Sequence, residues 1–214
     1  MTTTDRITLY YSPQSRATGA RVLLEELGAP YDLHVLNMKA GEQRKPEYLA
    51  INPLGKVPAI GHRGGLVTEQ VAIFIYLADL FPQAGLTPAL DDPRRGPYLR
   101  WTAYYGASFE PAVIDKFMKR EPAPVTQSPY ADFDTMLGAL ETQLAKGPYL
   151  FGEEITAADI LWGMALNWTM MFGLVPKRDV FVRFAERIAA RPAYQRISAA
   201  DDEMAAAHAV AAGV

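Results

Sequence analysis

The chain has 214 residues, 50% of them hydrophobic and 21% charged, which allows either one large domain or two small ones around a sizeable core. A formal net charge of -3 gives no electrostatic reason to expect nucleic acid or an anionic membrane as a partner. No cysteine is present, so disulfides, zinc-thiolate sites and a redox cycle on the protein's own thiols are excluded.

The opening MTTTDRITLYY lacks the basic start and apolar centre of a secretory signal, and no apolar run reaches bilayer-spanning length, so a cytoplasmic protein is expected. Ile7 to Tyr11 alternates as a strand that Pro13 ends. Ala17, Ala20, Leu23, Leu24 and Leu27 recur at helical spacing from about Ser15, and Gly28 with Pro30 stops the helix. Tyr31 to Leu36 alternates as a second strand, and strand, helix, strand implies a right-handed parallel crossover. The polar stretch from Asn37 to Leu49, broken by Pro46, reads as a loop with a short helix.

Asn52 to Leu80, NPLGKVPAIGHRGGLVTEQVAIFIYLADL, holds a Pro-Gly turn, a short strand opened by Val57-Pro58 and a hairpin at Gly64-Gly65. A second strand ends at Thr68-Glu69-Gln70, and an apolar helix follows at once. The order is βαβ then ββα, that of a thioredoxin-like domain holding the whole sheet. A proline that opens a strand sits where no ladder donor is needed, and a cis bond there would leave the Val57 N-H and C=O free for a ligand. At the strand-to-helix junction, unpaired helix amides suit a ligand carboxylate, while Glu69 suits an ammonium. Together they fit an extended peptide with an amino-acid head, although a Pro-led strand and a polar helix start also occur in α/β folds that bind nothing.

Breakers crowd residues 81–97, marking an exposed linker, and everything beyond reads as helical. Arg94 to Phe109 reads as helical, and Pro111 is expected to interrupt before a further segment containing Val113, Ile114, Phe117 and Met118. Phe133, Leu137, Leu140 and Leu144 mark another helix. Thr156 and Asp159 form a capping box with Ile155 and Ile160 as its hydrophobic staple, predicting a mostly buried helix from Ala157 to about Met171. Val180 to Ile188 is helical up to Arg191-Pro192; a short helix through Tyr194 and Ile197 and an alanine-rich tail, helical or frayed, complete the chain. The fold class is thus α/β plus all-α, with a thioredoxin-like domain at 1–82, a linker at 83–93 and a helical domain at 94–214.

NPxGxVPxI followed by TE-x-VAI-x-x-YLAD resembles the glutathione-binding half of the glutathione transferases, bacterial beta-class members in particular. The capping box resembles the one opening the central helix of their helical domain. The resemblance implies a detoxifying transferase that forms a homodimer, with glutathione as co-substrate, no metal, and a thiolate attacking a small hydrophobic electrophile. It implies that Val57 pairs with the cysteinyl backbone, that Pro58 is cis, that Glu69 and Gln70 hold the γ-glutamyl head, and that Lys56 and Lys39 reach the glycine carboxylate. Both lysines read equally as surface charges.

The β1–α1 junction YYSPQSRATGARV aligns with the beta-class opening, but Arg16 stands where that class has its cysteine. Ser15, then Arg16, and Ser12 are the candidate thiolate partners; as plain structure, Ser15 is an N-cap and Arg16 a solvated charge. Glu110 stands near the place of a beta-class histidine, and a carboxylate there would raise a thiol pKa. Tyr104, Tyr105, Phe109, Phe117 and Trp168 are the candidate electrophile contacts, although aromatics at helical spacing also serve as core. Two alternatives are a glutathione-dependent disulfide reductase or isomerase and a non-catalytic glutathione-binding scaffold.

Overall fold

The computed structural model describes residues 6–212, which fall into two compact units. One runs to Ala84 and takes in the chain from Pro192 onward; the other is Gly85–Arg191. The boundary expected from sequence places 192–214 with the helical half, whereas the last helix packs on the first helix of the chain.

In the first unit, β1 (Ile7–Tyr11), β2 (Tyr31–Val35), β3 (Ala59–His62) and β4 (Gly65–Val67) form one sheet in the order β2-β1-β3-β4. β1 and β2 are parallel, with Ile7 opposite Tyr31 and Tyr11 opposite Val35; β3 is antiparallel to both β1 and β4. The parallel pair is joined through α1 (Ala17–Glu26), the crossover expected of strand, helix, strand. Alternation along β1 buries Ile7, Leu9 and Tyr11, and sends Tyr10 to the other face, where its ring meets Tyr48 of α2 (Pro46–Leu49) at 5.7 Å. α3 (Gln70–Leu80) and α9 (Pro192–Ala211) both pack on α1.

In the second unit, α4 (Arg95–Tyr104), α5 (Glu110–Phe117), α6 (Phe133–Leu144), α7 (Ala157–Met171) and α8 (Asp179–Ala189) surround a core centred on Trp162. Its indole N-H donates to the Trp101 carbonyl at 3.0 Å, and the Phe109 ring lies 5.0 Å away. The interruption expected at Pro111 does not occur. One π turn over Tyr105–Phe109 joins α4 to α5, and Pro111 sits in the first turn of α5. A proline ring inside a regular helix collides with the carbonyl one turn back, and a wider turn gives that carbonyl room. The linker is not wholly exposed either, since Leu86 is buried and its carbonyl accepts the Ala157 N-H at 2.8 Å.

α7 meets α8 where Gly163 faces Ile188, and an added Cβ would overlap the Ile188 side chain. Because Ile188 is itself fully buried, it has nowhere to move. Gly163→Ala is therefore expected to cost about 2 kcal/mol through overpacking, seen as a lower urea midpoint with an unchanged slope.

Candidate functional site

The residues expected to meet a thiol lie between β1 and α1. Gln14 holds a left-handed backbone, φ 51°, which lets the chain turn from strand into helix. The Ser15 hydroxyl donates to the Ser12 carbonyl at 2.7 Å and accepts the Ala17 N-H at 3.1 Å. It therefore caps the start of α1, and a thiolate would receive its proton only after the hydroxyl rotates off Ser12. Ser12 is buried; Ser15 and Arg16 are half-buried.

Glu69 and Gln70 begin α3, and the Gln70 side-chain amide donates to the Arg16 carbonyl at 3.2 Å. The two junctions, 54 residues apart in sequence, thus meet. Glu69 is exposed, and its carboxylate takes a weak bond from the Thr68 hydroxyl at 3.4 Å. Its own backbone is strained at φ 62°, ψ 114°. The Ile73 N-H closes the first helical bond, to Glu69, so the amides that open α3 lie outside the helix's own ladder.

The Val57-Pro58 bond is cis. Val57 is half-buried, and among the described residues neither its N-H nor its C=O enters a backbone hydrogen bond. The preceding carbonyl, that of Lys56, is held by the Tyr48 hydroxyl at 2.6 Å and the Asn52 amide at 2.9 Å. Burial raises the Tyr48 phenol above its ordinary pKa, which keeps this donor protonated. The Lys56 and Lys39 side chains are both exposed.

A further group converges here from far along the chain. The Asp201 carboxylate on α9, 3% exposed, accepts the Gln14 N-H at 3.1 Å and the Thr18 hydroxyl at 2.5 Å, and lies 3.8 Å from the Arg21 guanidinium. Burial pushes its pKa up to about 6. Sequence reading missed it, because nothing around Asp201 in the alanine-rich tail marks a partner 187 residues earlier.

The five aromatics expected around an electrophile are dispersed in the second unit. Tyr105 and Phe109 pack on Trp162 in the core, and the Tyr105 hydroxyl donates to Glu110. Phe109 is fully buried, so it faces core rather than open space, a consequence of aromatics serving the π turn's inner side. The half-buried Tyr104 donates to the Met136 carbonyl at 3.2 Å, Trp168 is half-buried, and Phe117 is 63% exposed. A cavity of about 770 Å³ in this unit is lined by Arg94, Arg100, Trp101, Lys146 and Phe151, and by none of those five. Among the described residues no acidic or histidine cluster has the grouping to hold a metal, and no helix is long and apolar enough to cross a membrane.

The first unit is a thioredoxin-like sheet domain in which two helix starts meet, and the second unit is helical. The family model for the glutathione S-transferase N-terminal domain matches residues 6–79, and the model for the C-terminal domain matches residues 130–199. Glutathione S-transferase PARB of Nicotiana tabacum is 31% identical over 166 residues, 72% of this chain and 78% of its own length. A protein named disulfide-bond oxidoreductase YfcG, from Escherichia coli, is 28% identical over 201 residues, 87% of this chain and 92% of its own. Among solved structures, a glutathione transferase homologue from Sulfitobacter with bound glutathione superposes with a TM-score of 0.74 at 28% identity, over 93% of this chain and 99% of that one. The chain belongs to the glutathione S-transferase family.

Proposed function

We propose that this protein is a cytoplasmic, homodimeric glutathione transferase that binds glutathione on its first unit and activates the thiol for attack on a small hydrophobic electrophile. The observation that carries the reading is the meeting of the two junctions through the bond from Gln70 to Arg16, in the same unit as a Val57 whose N-H and C=O stay out of the backbone hydrogen bonding among the described residues. In this reading Val57 pairs with the cysteinyl residue. Glu69 takes the γ-glutamyl ammonium, the α3 amides and Gln70 take its carboxylate, and Lys56 with Lys39 serves the glycine end.

Thiolate sulfur attacks the electrophilic carbon, a C-S bond forms, and a leaving group such as halide departs with its electron pair. The thiol proton has already passed to solvent. Ser15, its hydroxyl turned from the Ser12 carbonyl to the sulfur, and Arg16 lower the thiol pKa, and the exposed or half-buried aromatics Phe117, Tyr104 and Trp168 contact the electrophile. An unperturbed thiol titrates near 8.5, and one hydrogen bond to the thiolate, worth roughly 1.5 to 3 kcal/mol, lowers that by about one to two units.

Calorimetric titration with glutathione, followed by an ultraviolet scan for the bound thiolate near neutral pH, tests the reading. Binding with a thiolate band is expected. Ser15→Ala should then raise the bound thiol pKa by about one unit and cut kcat/KM at neutral pH about tenfold, and Arg16→Ala should do so less. Absence of binding would overturn the proposal. Resemblance to a protein named as a disulfide-bond oxidoreductase favours one second reading, reduction of a disulfide by bound glutathione without a protein cysteine. Product analysis on halide against disulfide substrates separates the two.

A further inference from the structure

The loop bearing Ser15 and Arg16 is braced from outside as well as by the Ser15 bonds to Ser12 and Ala17. Gln14 stands in the left-handed region without being glycine, a conformation that costs of order 1 kcal/mol unless its surroundings hold it. Those surroundings come from α9. One oxygen of Asp201 takes the Gln14 N-H at 3.1 Å and the Thr18 hydroxyl at 2.5 Å, so a single atom ties the loop to the first turn of α1 on either side of Ser15 and Arg16. Asp202 adds a bond from the Gln14 side-chain amide at 3.1 Å. Further along α9, the His208 carbonyl accepts the Asn37 side-chain amide at 3.2 Å, which fixes the helix over the loop after β2 as well.

We propose that Asp201 is a positioning residue for thiol activation, holding the β1–α1 loop in the geometry from which Ser15 and Arg16 meet the glutathione thiol. The inference rests on the functional reading above. Asp201 acts through the loop and touches no substrate. One oxygen satisfies both the Gln14 N-H and the Thr18 hydroxyl, and the Arg21 guanidinium lies 3.8 Å from the other. Asn keeps such an oxygen and Ala does not.

The test compares Asp201→Ala with Asp201→Asn, with Arg196→Ala as a control that loosens α9 elsewhere by removing its 3.4 Å ion pair to Glu25. Wild-type glutathione binding is measured first, so failure of the functional reading is seen separately. Asp201→Ala is expected to lower kcat/KM about tenfold and to speed hydrogen exchange of the residue 12–18 amides at least about tenfold, with little change for Asp201→Asn or Arg196→Ala. In the Asp201→Ala background, the penalty of Ser15→Ala should largely vanish, because a misplaced hydroxyl has little left to lose. Should Asp201→Ala not fold, Thr18→Val removes one donor to the same oxygen and is expected to lose about threefold. Unchanged loop exchange in Asp201→Ala or Thr18→Val overturns the proposal even if wild-type protein proves not to bind glutathione; so does a full Ser15→Ala penalty in the Asp201→Ala background.

Discussion

Asp159→Ala is expected to cost about 4 kcal/mol of unfolding free energy. The carboxylate is fully buried at the start of α7. One oxygen accepts both the N-H and the hydroxyl of Thr156 at 2.8 Å, and the other accepts the Leu150 N-H at 2.7 Å. Alanine leaves those donors buried without acceptors, each at about 1 to 3 kcal/mol, and removes a helix cap worth about 1 kcal/mol. Against an ordinary total of roughly 5 to 15 kcal/mol, such a loss leaves a marginal fold. Urea unfolding of the purified variant measures it, and a midpoint within error of wild type would refute the account.

The same group predicts a pH dependence of definite sign. Burial, opposed by hydrogen bonds from Leu150 and Thr156, pushes the Asp159 pKa up to about 6 from 3.8. The unfolded chain releases this proton first as pH rises, so the folded state is disfavoured progressively from about pH 4 to about pH 6 and no further above that. Wild-type stability, referred to Asp159→Asn, which has no proton to lose, should fall over that window. A flat difference would mean that the hydrogen bonds hold the carboxylate ionised throughout.

How far the sequence reveals these features depends on whether their causes are local. Thr156 and Asp159 are three positions apart, and their box is readable because a capping motif is completed within one turn. The Val57-Pro58 and Glu69-Gln70 junctions are readable for a similar reason: each is a strand end with a breaker or a helix start beside it. Pro111 misleads because a single proline reads alike whether it ends a helix or follows a π turn, and what decides is the packing of Tyr105 and Phe109 on Trp162. Pro192 reads as a stop, yet it is the first residue of the 20-residue α9, where its missing N-H costs nothing. Asp201 lies beyond any local reading, since its meaning resides in Gln14 and Thr18.

Glu69→Gly is expected to move stability and binding in opposite directions. At φ 62°, ψ 114°, Glu69 carries a backbone cost of order 1 to 3 kcal/mol that glycine does not have. The greater freedom of glycine in the unfolded chain returns about 0.5 to 1 kcal/mol of this, and the glycine variant also forgoes the weak bond from the Thr68 hydroxyl. The variant should therefore be more stable by about 1 kcal/mol, a rise in Tm of roughly 2 to 4 °C for a chain of this size. Its glutathione affinity should fall about a hundredfold, the equivalent of about 2.7 kcal/mol, because the proposed carboxylate partner of the γ-glutamyl ammonium is gone. Glu69→Ala, which loses the carboxylate but keeps a Cβ in the left-handed conformation, should lose affinity to the same degree without the gain in Tm. Calorimetry and thermal unfolding on the pair separate the two effects. A Glu69→Gly protein that binds as wild type does would remove Glu69 from the site, and one that is less stable than wild type would mean that the strained backbone is held by contacts glycine cannot keep.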